Sequence, residues 1–220
     1  MREISAVFVT HEHADHISAL EIISKKYHIP VHMTEASAVK GVPPTSHLSS
    51  VVRLHPPIYR ENVGELTVTS FLLSHDSNMC VGYRIDSEDD SVGILTDTGY
   101  ISESALAALS GCRSVVLEAN HERNILLMGK YPYPLKHRIL SDIGHLSNEA
   151  AGLAILRVLR DPAKKPDLQV LLAHLSQENN TPSQAMITIK NILEEEGFIE
   201  GSHYRMEVAP REVAGRPFIL

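Results

Sequence analysis

The sequence lacks the features that would take it out of the class of compact globular proteins. It has two cysteines in 220 residues, Cys80 and Cys112, and they do not form a CxxC pair. So small a pair implies a reducing compartment and thiols buried as small core side chains. No stretch approaches the length of a membrane span, and the apolar run in the opening Met1–His13 segment is too short for a signal h-region, so no membrane partner and a cytoplasmic location are expected. There is no low-complexity tract and no internal repeat. Positive charge is also in deficit, with 20 Lys and Arg against 27 Asp and Glu and a formal net charge of −7. Attraction of a nucleic acid by an overall basic surface is thereby excluded, and any such attraction must be local.

What is present is ordinary globular material, 43% hydrophobic and 21% charged. The length suits one sizeable core, so residues 1–220 are read as a single domain. Strand-like runs rich in Val, Ile and Leu fall at 4–9, 66–73, 79–85, 92–95, 114–118, 168–173 and 204–209. Helical spacing appears at 17–27 through Leu20, Ile23 and Tyr27, at 149–160 behind a cap at Ser147 or Asn148, and at 184–196 before Gly197. The alternation predicts a layered α/β protein. Two proline-bearing stretches, 41–57 and 129–138, read as irregular.

Four of these strands end on a residue that can ligate metal. Val7-Phe8-Val9 runs into His11, Phe71-Leu72-Leu73 into His75, Gly93-Ile94-Leu95 into Asp97, and Leu171-Leu172-Ala173 into His174. Loops that gather at one sheet edge can bring such residues together, and rigid strand ends hold them in place. The cluster His11-Glu12-His13-Ala14-Asp15-His16 supplies more donors. In an extended turn His11 and His13 point to one side and can share an ion, while Asp15 and His16, opening a helix, can reach a second. Imidazole with carboxylate suits Zn²⁺, Mn²⁺ or Fe²⁺, and the absence of thiolate argues against a purely structural zinc site. His28, His32, His47, His55 and His203 are read as incidental.

The stretch Thr10-His11-Glu12-His13-Ala14-Asp15-His16 resembles the HxHxDH signature of the metallo-β-lactamase superfamily, with His75, Asp97 and His174 matching the later ligand positions in order. The resemblance implies an αββα sandwich with two divalent ions. One is held by His11, His13 and His75, the other by Asp15, His16 and His174, and Asp97 bridges them beside a hydroxide nucleophile. The family's β-lactamases typically carry Cys where this chain has Asp97, which moves the expected chemistry towards phosphodiesterases and thioesterases.

Residues 118–148 are similar to the YycJ/WalJ group of exonucleases within that superfamily, through Glu118-Ala119-Asn120-His121, Gly129-Lys130-Tyr131-Pro132, Leu135-Lys136-His137-Arg138-Ile139 and Gly144-His145-Leu146-Ser147-Asn148. Leu172-Ala173-His174-Leu175-Ser176 and Asn179-Asn180 add to the likeness. Residues 118–148 are also similar to a pattern of ribonuclease Z, in which a His opening a helix corresponds to His145 and a Glu ending a strand to Glu118, and that likeness implies that His145 protonates the leaving oxygen or stabilises phosphate charge, with Glu118 holding its ring. Asn120, His121, Lys136, Arg138, Ser147 and Asn148 are then candidate substrate contacts, and the mixture of Lys130, Lys136, His137 and Arg138 with Tyr131 and Tyr133 could grip a DNA backbone and stack a base.

The pattern departs from the family at its start, where further strands and a glycine-bearing turn normally precede the signature. With Ile4–Val9 as the opening strand, its edge is open to pairing with a second copy in a homo-oligomer. A metal-dependent exonuclease acting on DNA is the leading expectation. A small-molecule hydrolase of the same fold, acting on a cyclic phosphodiester or a thioester, and a metal-binding protein without turnover are the alternatives.

Overall fold

The computed structural model describes residues 4–211 and residue 213. Its strands are β1 (Val7–Phe8), β2 (Val31–Thr34), β3 (Val52–His55), β4 (Arg60–Val63), β5 (Leu66–Leu73), β6 (Cys80–Asp86), β7 (Ser91–Leu95), β8 (Ser114–Glu118), β9 (Leu168–Ala173) and β10 (Tyr204–Val208). The helices are α1 (Ala14–Ile17), α2 (Leu20–Tyr27), α3 (Glu35–Gly41), α4 (Leu48–Val51), α5 (Glu103–Leu109), α6 (Arg123–Met128), α7 (Tyr133–Ile139), α8 (Asn148–Leu159) and α9 (Pro182–Glu195).

The strands form two sheets. β1, β2 and β3 lie side by side in parallel, and a seven-stranded sheet runs β10-β9-β8-β7-β6-β5-β4. Within the larger sheet the pairs from β10 to β7 are parallel and those from β7 to β4 antiparallel. Parallel strands need both faces covered. One face of the large sheet buries Leu95, Val115, Leu117, Val170 and Leu172 against Ala151, Ile155 and Leu159 of α8 and Ile189 and Leu193 of α9. The small sheet buries Val31 and Met33 against Leu20 of α2 and Leu48 of α4. Between the sheets, Phe8 of β1 packs on Tyr59, Val68, Val81 and Tyr83. Helices, sheet, sheet and helices therefore stack in the four-layer order of the metallo-β-lactamase fold.

Local chemistry explains the best-defined elements. The Ser147 side chain accepts from Ala150 N and caps α8, and Thr181 caps α9 in front of Pro182, whose missing N–H costs nothing in a first turn. Cys80 and Cys112 are both buried free thiols. Several expectations need correction. The opening strand is confined to Val7–Phe8 rather than 4–9. The irregular stretch 41–57 contains α4 and β3, and the irregular stretch 129–138 contains most of α7. Pro132 stands at the N-cap of α7 and Pro134 lies in its first turn, so the Tyr-Pro-Tyr-Pro run starts a helix where it looked like a loop.

Candidate metal centre

Every expected ligand converges on one end of the two sheets. His11 leaves β1, Asp15 and His16 sit in the single turn of α1, His75 follows β5, Asp97 follows β7, and His174 follows β9. Asp97 and His174 adopt left-handed backbone conformations, with φ of 64° and 56°. Such φ values are uncommon for residues with a side chain and collect at functional sites, where surrounding structure enforces them. The loop holding His13 is pinned by Glu12, whose Oε1 accepts from Asn78 N at 2.7 Å.

Donor atoms of His11, His13 and His75 lie close enough to share an ion, as do those of Asp15, His16 and His174. The His11 ring stands at 79° to both His13 and His75, and His13 at 70° to His75. His11 Nε2 and His13 Nδ1 are 3.0 Å apart, within N–H···N bonding distance, with the two rings crossed on each other and on His75. Asp97 lies between the two groups. Its Oδ2 is 3.4 Å from His16 Nε2, and its Oδ1 is 3.5 Å from His174 Nε2 and 3.8 Å from His75 Nε2. That Oδ2 is buried without a hydrogen-bond partner, the condition of a carboxylate shaped for a cation. Burial, then the surrounding histidines, pushes His11 down to about 2, and burial lowers His75, so both rings are held in the neutral form that coordinates metal. The donor set and its geometry fit divalent cations.

A second layer fixes the first. Glu118 is fully buried, and its Oε1 accepts from His145 Nδ1 and His174 Nδ1, each at 2.8 Å. Its Oε2 accepts from the backbone N–H groups of Thr98 and Leu146. Burial alone would raise the Glu118 carboxyl, but the hydrogen bonds from the two rings bring it down to about 2. Burial opposes charge on His174 too, yet its bond to Glu118 and the nearby Asp97 push it up to about 9; a cation at Nε2 would take the place of that proton. Glu118 was expected among the catalytic groups. It is fully buried and meets the cleft only through His145 and His174, whose Nδ1 atoms it engages. The His145 Nδ1 is 3.8 Å from Asp97 Oδ1, which puts the ring beside the ligand cluster.

A cleft of about 750 Å³ opens over these groups. Its walls include Asp15, His145, His174, Asn120, Tyr131 and Arg138, together with Ser176 and Arg211. Of the six expected substrate contacts, Asn120 and Arg138 reach this cleft. Asn120 also donates to His174 O at 3.0 Å, supporting the strained ligand turn. The other four have different work. His121 is 1% exposed, Asn148 is fully buried in reciprocal hydrogen bonds with Asn180, and Ser147 is the α8 cap. Lys136 Nζ donates to Leu127 O and Gly129 O at the end of α6. Lys130 pairs with Glu178. The sequence reading missed Glu12, Thr98 and Asp76. Each of these directly follows an expected ligand, His11, Asp97 and His75 in turn.

His32 and His55, taken as incidental, form a second cluster with Glu61. Their nitrogens are 2.9 Å apart like those of His11 and His13, but the rings lie within 15° of parallel with centres 5.1 Å apart. That combination requires nearly coplanar rings whose nitrogens face each other in a single N–H···N bond.

The beta-lactamase superfamily domain model matches residues 1–165. The chain is 35% identical over 213 residues to exodeoxyribonuclease YycJ of Bacillus anthracis, covering 94% of this chain and 77% of that protein. It is 35% identical over 195 residues to exodeoxyribonuclease WalJ of Streptococcus pneumoniae, covering 87% and 71%. Solved structures share the fold at low identity. Unliganded yeast PDE1 superposes with a TM-score of 0.67 at 15% identity, covering 95% of this chain and 67% of that one. The metallo-β-lactamase fold protein YhfI of Bacillus subtilis gives 0.64 at 17%, covering 94% and 75%. The site, the fold and the extent of these matches agree: the chain belongs to the beta-lactamase superfamily, as a metal-dependent hydrolase of the branch that contains the YycJ and WalJ nucleases.

Proposed function

We infer that this protein is a dinuclear phosphodiesterase that removes nucleotides from DNA ends. The observation that carries the reading is Asp97, a buried carboxylate with one oxygen near His16 and the other near His75 and His174. A carboxylate so placed suits two ions, one on His11, His13 and His75 and the other on Asp15, His16 and His174. Zn²⁺, Mn²⁺ and Fe²⁺ all suit these donors. Bound there, such a pair lowers the pKa of water and neutralises charge on a phosphodiester.

The chain's own residues do the rest. Glu118 engages His145 at Nδ1, leaving Nε2 as the nitrogen that exchanges a proton with the leaving oxygen. Asn120 and Arg138 line the cleft where the phosphodiester would lie. Names of the relatives at 35% identity support DNA as the polymer. The test is a time course of degradation of 5′-phosphorylated single-stranded DNA with Mn²⁺, beside reactions containing EDTA or the Asp97→Ala variant. Degradation stopped by both controls is expected. Intact DNA with metal still bound would overturn the nuclease reading.

A further inference from the structure

The cleft contains an arginine whose anchoring the mechanism above does not use. Arg138 stands in the last turn of α7, and its Nε donates to Asp76 Oδ2. Asp76 immediately follows the ligand His75, and its backbone N–H donates to Ile143 O at 3.1 Å. The His75 ring in turn donates from Nδ1 to Gly144 O at 3.1 Å. Ligand loop, His145 loop and α7 are thus tied together at one corner of the cleft.

We propose that Asp76 is a positioning residue that holds Arg138 as the phosphate-gripping arm beside the metal centre. This rests on the phosphodiesterase reading and deepens it. An arginine bound through Nε keeps its two terminal amino groups as a fork, and that fork matches two oxygens of a phosphate. Among the described residues no hydrogen bond uses those amino groups, and the side chain is 48% exposed on the cleft wall with Asp15, His145 and His174. The neighbouring cations are committed elsewhere, Lys136 to two backbone carbonyls and Lys130 to Glu178. Arg138 is therefore the cation of α7 with donors to offer. A long flexible side chain would lose much of its gain on ordering when it met substrate. Asp76 removes that loss by fixing the guanidinium beforehand, at a place set by the metal-ligand loop itself. The second oxygen of Asp76, Oδ1, is buried without a partner 3.4 Å from His75 Nε2, so ligation of metal by Asp76 is the competing role that the experiment must separate.

The test is a double-mutant cycle on Arg138→Ala and Asp76→Asn in the full, Mn²⁺-loaded protein. It is read by metal content, by kcat and KM on single-stranded DNA, and by calorimetric titration with inorganic phosphate. Arg138→Ala is expected to raise KM and the phosphate Kd about ten- to a hundredfold, the worth of charge-assisted hydrogen bonds, with kcat affected far less. Arg138→Lys, which cannot fork, is expected to recover little of this. Asp76→Asn should raise KM about tenfold at unchanged metal content and add nothing in the Arg138→Ala background. Phosphate affinity unmoved by Arg138→Ala would overturn the proposal. So would metal loss in Asp76→Asn, or an Asp76→Asn effect that persists without Arg138. Wild-type protein that binds phosphate but leaves DNA intact would sink the nuclease reading alone, because the phosphate titration still judges the arm.

Discussion

Asp97 and Glu118 are both buried carboxylates at strand ends, and their partners sort them into different jobs. Asp97 faces histidine nitrogens across 3.4 to 3.8 Å with one oxygen unpartnered, whereas both oxygens of Glu118 accept hydrogen bonds. Asp97→Ala should accordingly abolish turnover and release metal, measured by elemental analysis after gel filtration. His145→Ala should retain metal and lower kcat by about 10² to 10⁴, the range for loss of a proton-transfer group. An unchanged rate would remove His145 from the chemistry. His121 offers a pH test away from the ligands. Burial lowers its pKa from 6.5 to about 4, with both ring nitrogens unpartnered. The unfolded chain then takes up a proton at higher pH than the folded one. The stability present above about pH 6.5 should therefore fall between 6.5 and 4, by up to about 3 kcal/mol, and urea melts of His121→Leu should show a flatter pH profile in that window.

Elements were legible where one pattern decided them. β5, β8 and β9 are seen where alternating or continuous apolar runs put them, at Leu66–Leu73, Ser114–Glu118 and Leu168–Ala173. The capping serine of α8 is likewise seen. What escaped was short or governed by distant contacts. β2 and β4 have four residues each, too few to show a period, and β2 pairs with β1 and β3, which are distant in the chain. His11, His75 and His174 could be read because each follows a strand, and His13 and His16 because they cluster with His11, but nothing local to Lys136 or Asn148 tells of the carbonyls and the Asn180 amide that occupy them. The loop carrying His145 is also set by such a distant contact. A Cβ on Gly99 would collide with the backbone of Ser141 and Asp142. Gly99→Ala should push that loop away and lower kcat at least tenfold with metal content retained, and normal kcat would show that the loop can yield without moving His145.

At the scale of the molecule, the candidate ligands are drawn from two sheets that also meet through Phe8 packed on Tyr59, Val68, Val81 and Tyr83 and through hydrogen bonds from Tyr83 Oη to Val9 O and from Val81 N to Thr10 O. His11, His13, Asp15 and His16 come from the segment after β1, while His75, Asp97 and His174 end strands of the large sheet. Ions shared between these sets would cross-link the small sheet to the large one in the folded state only. Ligand linkage then sets the gain, about 2.7 kcal/mol when free metal is a hundredfold above its dissociation constant. For a chain of this length that corresponds to a rise in Tm of roughly 5 to 10 °C. Chelation should remove the rise, and hydrogen exchange should quicken first in β1 and β2, whose tie to the large sheet would be lost, rather than in β8 and β9 at the centre of the main core. Asp97→Ala should melt at nearly the same temperature with and without metal. A uniform change in exchange across both sheets would mean that the ions stabilise the whole fold rather than the tie between the sheets, and the cross-link would have to be given up.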